Sequence, residues 1–158
     1  MKKINQIGLD KVKTEKLIIE LNYLLANYSI FYQNIRGFHW KITGNDFFEL
    51  HDKFEELYND LFVKIDDVAE RILTIGGKPE HNFTEYLKQS EIKEFSTGFT
   101  GNEAMQEILN SFKILLSKQR NILDIASEIS DEGSSALMSD YIREQEKLVW
   151  MYSSFLAK

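Results

Sequence analysis

Residues 46–75, DFFELHDKFEELYNDLFVKIDDVAERILTI, form the most regular stretch of the chain. Apolar side chains recur along it every three or four residues, as they do on the buried face of an amphipathic helix. They are Phe47, Leu50, Phe54, Leu57, Tyr58, Leu61, Ile65, Val68, Ile72 and Leu73. Gly76-Gly77 follows, with Pro79 soon after, and this combination predicts that the helix ends there.

Three other long segments have helical periodicity, and no segment has a convincing strand pattern. One covers about residues 10–40, and the last covers residues 134–156. Between them, a capping box from Thr100 to Glu103 opens a helix that extends to about residue 130. The predicted core of the last helix includes Trp150, Tyr152 and Phe155.

The lengths of the connections predict how the helices are arranged. Short first and third connections make antiparallel helix pairs, whereas residues 80–100 are long enough to cross the whole bundle. This crossover is predicted to carry a short helix at residues 84–88. The expected fold is therefore all-α, a ferritin-like four-helix bundle with one long crossover, with residues 1–158 as a single domain.

The composition excludes several classes of function. The chain has no cysteine, so histidine, aspartate and glutamate are its only strong metal ligands. Its net charge of −6 has the wrong sign for unaided binding to nucleic acid or anionic lipid. The longest uncharged run, residues 21–35, is too short and too polar to span a membrane. The expected location is therefore the cytoplasm, without a membrane partner.

Ligand-type side chains are concentrated on the second helix. They are His51, Glu55, Asp66 and Glu70. At about 100° per residue, all four fall within about 100° of one another and share one face. A rise of about 1.5 Å per residue puts His51 roughly 22 Å from Asp66, so the four side chains cannot bind one metal. A di-iron site inside one bundle is not encoded either, because no histidine follows a glutamate by three positions.

Two half-sites on one helix face fit a second copy that packs antiparallel across a two-fold axis. Each copy supplies a histidine half, His51 with Glu55, and a carboxylate half, Asp66 with Glu70. His39, at the end of the first helix, is close enough in sequence to add a nitrogen ligand to the histidine half. These donors suit iron, manganese or zinc, and carboxylate oxygens favour ferric iron. The alternative is that these carboxylates are only a solvated helix face.

Three sequence blocks resemble the signature of the Dps family, the mini-ferritins named as DNA-protection proteins of starved cells. They are Gly37-Phe38-His39-Trp40, FFELHDKFEELY at residues 47–58, and DDVAER at residues 66–71. The resemblance extends to the length and helix layout of essentially the whole chain. It implies a ferroxidase site between two subunits, in which Glu55 stands where many members have aspartate. The implied ligands are His39, His51, Glu55, Asp66 and Glu70.

The same resemblance implies that the chain oxidises ferrous iron, preferably with hydrogen peroxide, and stores the ferric product inside a twelve-subunit cage. Trp40 is then a candidate electron donor beside the metals, and its alternative role is a packing aromatic at a helix end. In the family, iron enters through acidic three-fold pores near the start of the last helix. The candidate pore residues are Glu128, Asp131 and Glu132.

Two other functions remain open from the sequence. A DNA-compacting protein with secondary iron chemistry would need a long basic tail, and DNA is not favoured as a partner because that tail is missing. The lysines near the start of the chain are Lys2, Lys3, Lys11, Lys13 and Lys16. The other alternative is a helical bundle that holds an inert zinc ion.

Overall fold

The computed structural model describes residues 3–96 and 98–157, which form five helices. They are α1 (Lys11–Lys41), α2 (Phe47–Thr74), α3 (Phe83–Gln89), α4 (Gly101–Glu128) and α5 (Glu132–Leu156). Helix α1 packs mainly against α2, and α4 mainly against α5, while contacts between α1 and α4 join the two pairs. The predicted all-α bundle of four long helices, with a short helix in the crossover, is confirmed.

Helix α2 ends at Thr74, just before Gly76-Gly77, as the sequence predicted. Gly76 adopts a φ of 95°, in the left-handed region that favours glycine, and its N–H donates to the Leu73 carbonyl over 3.0 Å. A Cβ on Gly77 would lie 2.8 Å from Cγ2 of Ile18 and 2.9 Å from Cγ2 of Ile72, so a larger residue there would have to displace these side chains. The glycine pair therefore both stops α2 and lets α1 pack closely against its end.

The start of α4 and most of the core also agree with the sequence. Thr100 Oγ1 accepts from the Glu103 N–H at 3.2 Å, and the Glu103 carboxylate accepts from the Thr100 N–H at 2.7 Å, so the capping box is present. Tyr152 is buried, but the prediction that Trp150 belongs to the core is wrong, because its side chain is 64% exposed. The two residues are about 200° apart on one helix and cannot face the same core.

An uncharged polar cluster lies in the centre of the bundle, between α1, α4 and α5. The Tyr28 hydroxyl accepts from the side-chain amides of Gln119 and Gln145, at 2.6 and 2.7 Å. Burial raises the pKa of the Tyr28 hydroxyl well above its usual range, so this side chain stays neutral. The helices that the structure describes include none long and apolar enough to cross a membrane.

Candidate metal centre

The short connection between α1 and α2 brings two histidines into contact. His39 lies in the last turn of α1 and His51 near the start of α2. Their imidazole rings stack with centroids 3.7 Å apart and planes inclined by 18°. Nδ1 of His39 lies 2.7 Å from the His51 carbonyl oxygen, and Nδ1 of His51 lies 2.8 Å from the His39 carbonyl oxygen. The two residues are thus joined by a reciprocal pair of hydrogen bonds.

These hydrogen bonds fix which nitrogen of each ring carries the proton. A carbonyl oxygen can only accept, so Nδ1 of each neutral imidazole must be the donor. The other nitrogen, Nε2, then keeps its lone pair and is available to a metal ion. A hydrogen bond from one ring nitrogen to a backbone carbonyl is the usual way in which proteins orient metal-binding histidines. His39 and His51 are therefore arranged as a pair of nitrogen ligands.

Two aromatic rings, which the sequence pattern placed only on the apolar stripe of the helix, contact the histidine pair. Phe47, the first residue of α2, stacks on His51 with centroids 4.9 Å apart and planes inclined by 23°. The ring of Tyr58 meets His39 nearly at right angles, with centroids 5.3 Å apart. Phe47 precedes His51 by four residues, a spacing that places both side chains on one side of a helix. That spacing was the only signal in the sequence for this contact.

The three predicted carboxylate ligands lie on the exposed surface of α2. Glu55, Asp66 and Glu70 are all solvent-exposed. Within residues 3–96 and 98–157, none of their carboxylates forms an ion pair or a hydrogen bond. They are therefore available as ligands, because nothing in the described part of the chain neutralises them.

One chain does not complete a metal site. Among the described residues, no three His, Asp or Glu side chains come close enough together to hold a metal ion. The structure brings His39 and His51 together, but α2 is one continuous helix of 28 residues that carries Asp66 and Glu70 several turns beyond His51. The predicted separation of roughly 22 Å between the two halves follows from this continuity.

Large apolar side chains are exposed on the same face of α2 as the candidate ligands. Phe48 is 81% exposed and Phe62 is 64% exposed. Leu73, which the apolar spacing placed with the buried residues, is exposed as well, so that part of the prediction is wrong. At about 100° per residue, all three point within about 60° of His51. The three side chains are spread along the length of α2 on one side of the helix, so a partner that covers them all must lie along the helix. We call this surface, formed by Phe48, Phe62 and Leu73, the α2 apolar face.

The remaining predicted site residues fall into two groups. Trp40, Glu128 and Glu132 are exposed, and the Arg36 guanidinium lies 4.8 Å from the centre of the Trp40 ring. Asp131 is instead buried, so the structure gives this pore candidate a different role from the one predicted.

Asp131 caps the start of α5 and binds the end of α2. Its carboxylate accepts from Nη2 of Arg71 at 2.6 Å and from the Ser134 hydroxyl at 2.6 Å. It also accepts from the Ser134 N–H at 3.1 Å, as an N-cap residue does. The sequence showed no pairing between Arg71 and Asp131, because 60 residues separate them.

Comparisons with known proteins show the family and the fold of this chain. Residues 18–158 match the family model described as a ferritin-like domain. The chain is 43% identical to the DNA protection during starvation protein of Porphyromonas gingivalis over the full length of both. It is 56% identical in sequence to the Dps protein from Vibrio cholerae O1. The crystal structure of that protein superimposes with a TM-score of 0.96, covering 98% of this chain and 97% of that one. That protein is described as a member of a superfamily of ferritin-like diiron-carboxylate proteins.

A second solved structure gives the same result at lower identity. The Dps of Staphylococcus aureus is 35% identical, with a TM-score of 0.87 and coverage of 90% of this chain and 95% of that one. The family model and the full-length relative thus show the family, and both solved structures show the same fold over nearly the whole chain. The chain therefore belongs to the Dps family of ferritin-like proteins.

Proposed function

We propose that two copies of this chain form ferroxidase sites where their α2 helices meet, and that the assembled protein oxidises ferrous iron and stores the ferric product. The observation that carries this proposal is the histidine pair, in which both Nε2 atoms are free for metal binding. The carboxylates of Asp66 and Glu70 lie too far along the same helix to reach that pair. An antiparallel second copy would bring its own carboxylate half to the histidine half.

The donor set fits iron as the substrate. Carboxylate oxygens are hard ligands that stabilise ferric iron, whereas neutral imidazoles anchor the metal without adding charge. Zinc and manganese accept the same donors, so either could replace iron. The description of the Vibrio cholerae protein as one of the diiron-carboxylate proteins supports a site that holds two irons.

The proposed reaction uses hydrogen peroxide as the oxidant. Two ferrous ions each give up one electron, and peroxide takes both electrons together with two protons, so that its O–O bond breaks and two water molecules form. Because both electrons are supplied at one site, no hydroxyl radical is released. Trp40, exposed near the end of α1, is proposed as a donor of an extra electron when only one iron is in place.

The contact between copies is proposed to bury the α2 apolar face within a cage of twelve subunits. Glu128 and Glu132 are exposed beside the start of α5 and remain the candidates for an acidic pore. Asp131 is not proposed as a pore residue, because its carboxylate is engaged by Arg71.

Replacement of an apolar residue on this face should prevent assembly. We expect the unaltered protein to elute from a size-exclusion column near twelve times its chain mass of 18.5 kDa. Phe62→Asp should elute as a much smaller species, because it places a charge where two apolar surfaces must meet. Val12→Asp, at an equally exposed apolar position at the start of α1, is the control. Unchanged elution of the Phe62 variant would contradict the proposed contact.

The catalytic proposal is tested by removing one ligand from each half. The double variant His51→Ala/Asp66→Ala should lose iron-dependent consumption of peroxide, because no complete site can form. His81→Ala/Asp124→Ala changes the same residue types at exposed positions outside α2 and should leave the rate unchanged. An unaltered rate in the first variant would refute the site. The same measurement separates a ferroxidase from a bundle with inert zinc.

We do not propose that this chain compacts DNA. The N-terminal segment is held against the bundle, since the Lys3 carbonyl accepts from the Lys11 N–H at 2.8 Å and the Asn5 side chain donates to the Ile75 carbonyl at 3.0 Å. The backbone of Lys3 is therefore hydrogen-bonded to the start of α1 and is not part of a free basic tail. Lys2 lies outside the described residues.

A further inference from the structure

The hydrogen bonds between His39 and His51 set the tautomer and orientation of both rings, and contacts with the faces and edges of the rings decide how firmly that arrangement is held. Each bond holds one atom of an imidazole, whereas rotation about the terminal torsion of histidine has broad, roughly two-fold minima. A half-turn would exchange Nδ1 for a ring carbon and break the bond to the carbonyl oxygen. The firmness with which the pair is held must therefore depend on contacts with the flat surfaces and edges of the rings as well.

Phe47 and Tyr58 supply those contacts. Phe47 stacks nearly parallel to His51 at a centroid distance of 4.9 Å, and Tyr58 sets its ring at 81° to that of His39 at 5.3 Å. His39 and His51 also stack on each other, so any rotation of one imidazole disturbs the other. Both aromatic residues are only partly buried and pack against the edge of the core, where leucine would keep an apolar contact.

We propose that Phe47 and Tyr58 are positioning residues, which keep His39 and His51 in the tautomer and orientation that leave both Nε2 atoms available to a metal. This inference rests on the proposed function, in which those nitrogen atoms bind iron. Phe47 has no polar group, and the Tyr58 hydroxyl forms no hydrogen bond among the described residues, so both act through the shape of their rings. Replacement of Tyr58 by phenylalanine should therefore be harmless, whereas replacement by leucine should not.

The first test measures the tautomers directly in metal-free protein. The chain has three histidines, and His81 in the exposed crossover serves as an internal reference. Solid-state NMR of protein labelled with ¹⁵N-histidine should show protonated Nδ1 and unprotonated Nε2 for His39 and His51. In Phe47→Leu and Tyr58→Leu, we expect a second signal set from the opposite tautomer. Tyr58→Phe should retain the original signals.

The second test measures zinc binding by calorimetry on the same proteins, with zinc as the probe. The two leucine variants should bind zinc about tenfold more weakly, the lower end of the range for residues that orient metal ligands. Phe83→Leu is the matched control, because Phe83 is likewise the first residue of a helix and lies outside the site. Variants that keep the original tautomers and bind zinc within a factor of two of the unaltered protein would overturn the inference.

The two proposals fail in different ways. If His51→Ala did not weaken zinc binding, the proposed metal site would be wrong. The NMR signals would still decide whether Phe47 and Tyr58 orient the histidines, because that measurement requires no metal.

Discussion

Joint reassembly of a His51→Ala chain and an Asp66→Ala chain should restore ferroxidase activity that neither variant has alone. Each variant by itself lacks one half of every site. In a mixed dimer, the intact His51 of one chain meets the intact Asp66 of the other and completes one of the two sites. Random pairing makes half of the dimers mixed, so about a quarter of the sites of the unaltered protein should be active.

The control for this experiment mixes two variants that lack the same half. His51→Ala and Glu55→Ala both damage the histidine half, so no pairing of these chains gives an intact site and no activity should return. Iron-dependent consumption of peroxide is measured after both chains are unfolded and refolded together. A His51/Asp66 mixture as inactive as its separate components would show that the two halves do not meet between chains.

Asp131→Ala should produce the largest loss of stability among single changes at the ends of the helices. The Asp131 side chain is 2% exposed and that of Arg71 is 18% exposed, so the substitution leaves a largely buried guanidinium without its charged partner and with only its hydrogen bond to the Ser134 hydroxyl. It also removes the N-cap of α5. We expect the free energy of unfolding to fall by about 3 kcal/mol, the lower end for a broken buried pair, because Arg71 retains some contact with water.

Urea unfolding at one protein concentration measures this loss, since assembly itself contributes to stability. Asp140→Ala breaks the exposed pair with Arg143 and should cost less than about 1 kcal/mol. A double variant, Arg71→Met/Asp131→Ala, should be less destabilised than the sum of its single changes, because no unpaired charge remains. Strict additivity would show that the two side chains do not stabilise each other.

Local patterns were sufficient to predict the helices. Regular apolar spacing identified α2, the capping box located the start of α4, and the length of residues 80–100 gave the crossover. The candidate ligands on α2 also followed from spacing, because residues on one straight helix have fixed relative directions. The prediction that Trp150 is buried was wrong, because apolar spacing alone does not show which side of α5 faces the core.

Contacts between distant parts of the chain could not be predicted in this way. The stacked histidines depend on the path of the backbone between α1 and α2, which no periodic pattern encodes. The burial of Asp131 depends on Arg71, 60 residues earlier, and on the approach of α5 to the end of α2. An acidic residue beside a turn is usually exposed, so only the folded chain reveals that this one is not.

Under the proposed function, the distance between the two donor sets along α2 also determines when iron oxidation can begin. A single subunit carries the histidine half and the carboxylate half on one continuous helix of 28 residues, so the two halves of one chain cannot meet. Under the same proposal, oxidation must wait until a second copy has docked. A subunit that has not yet paired would then not oxidise iron at this site, so ferric product would form only on paired subunits.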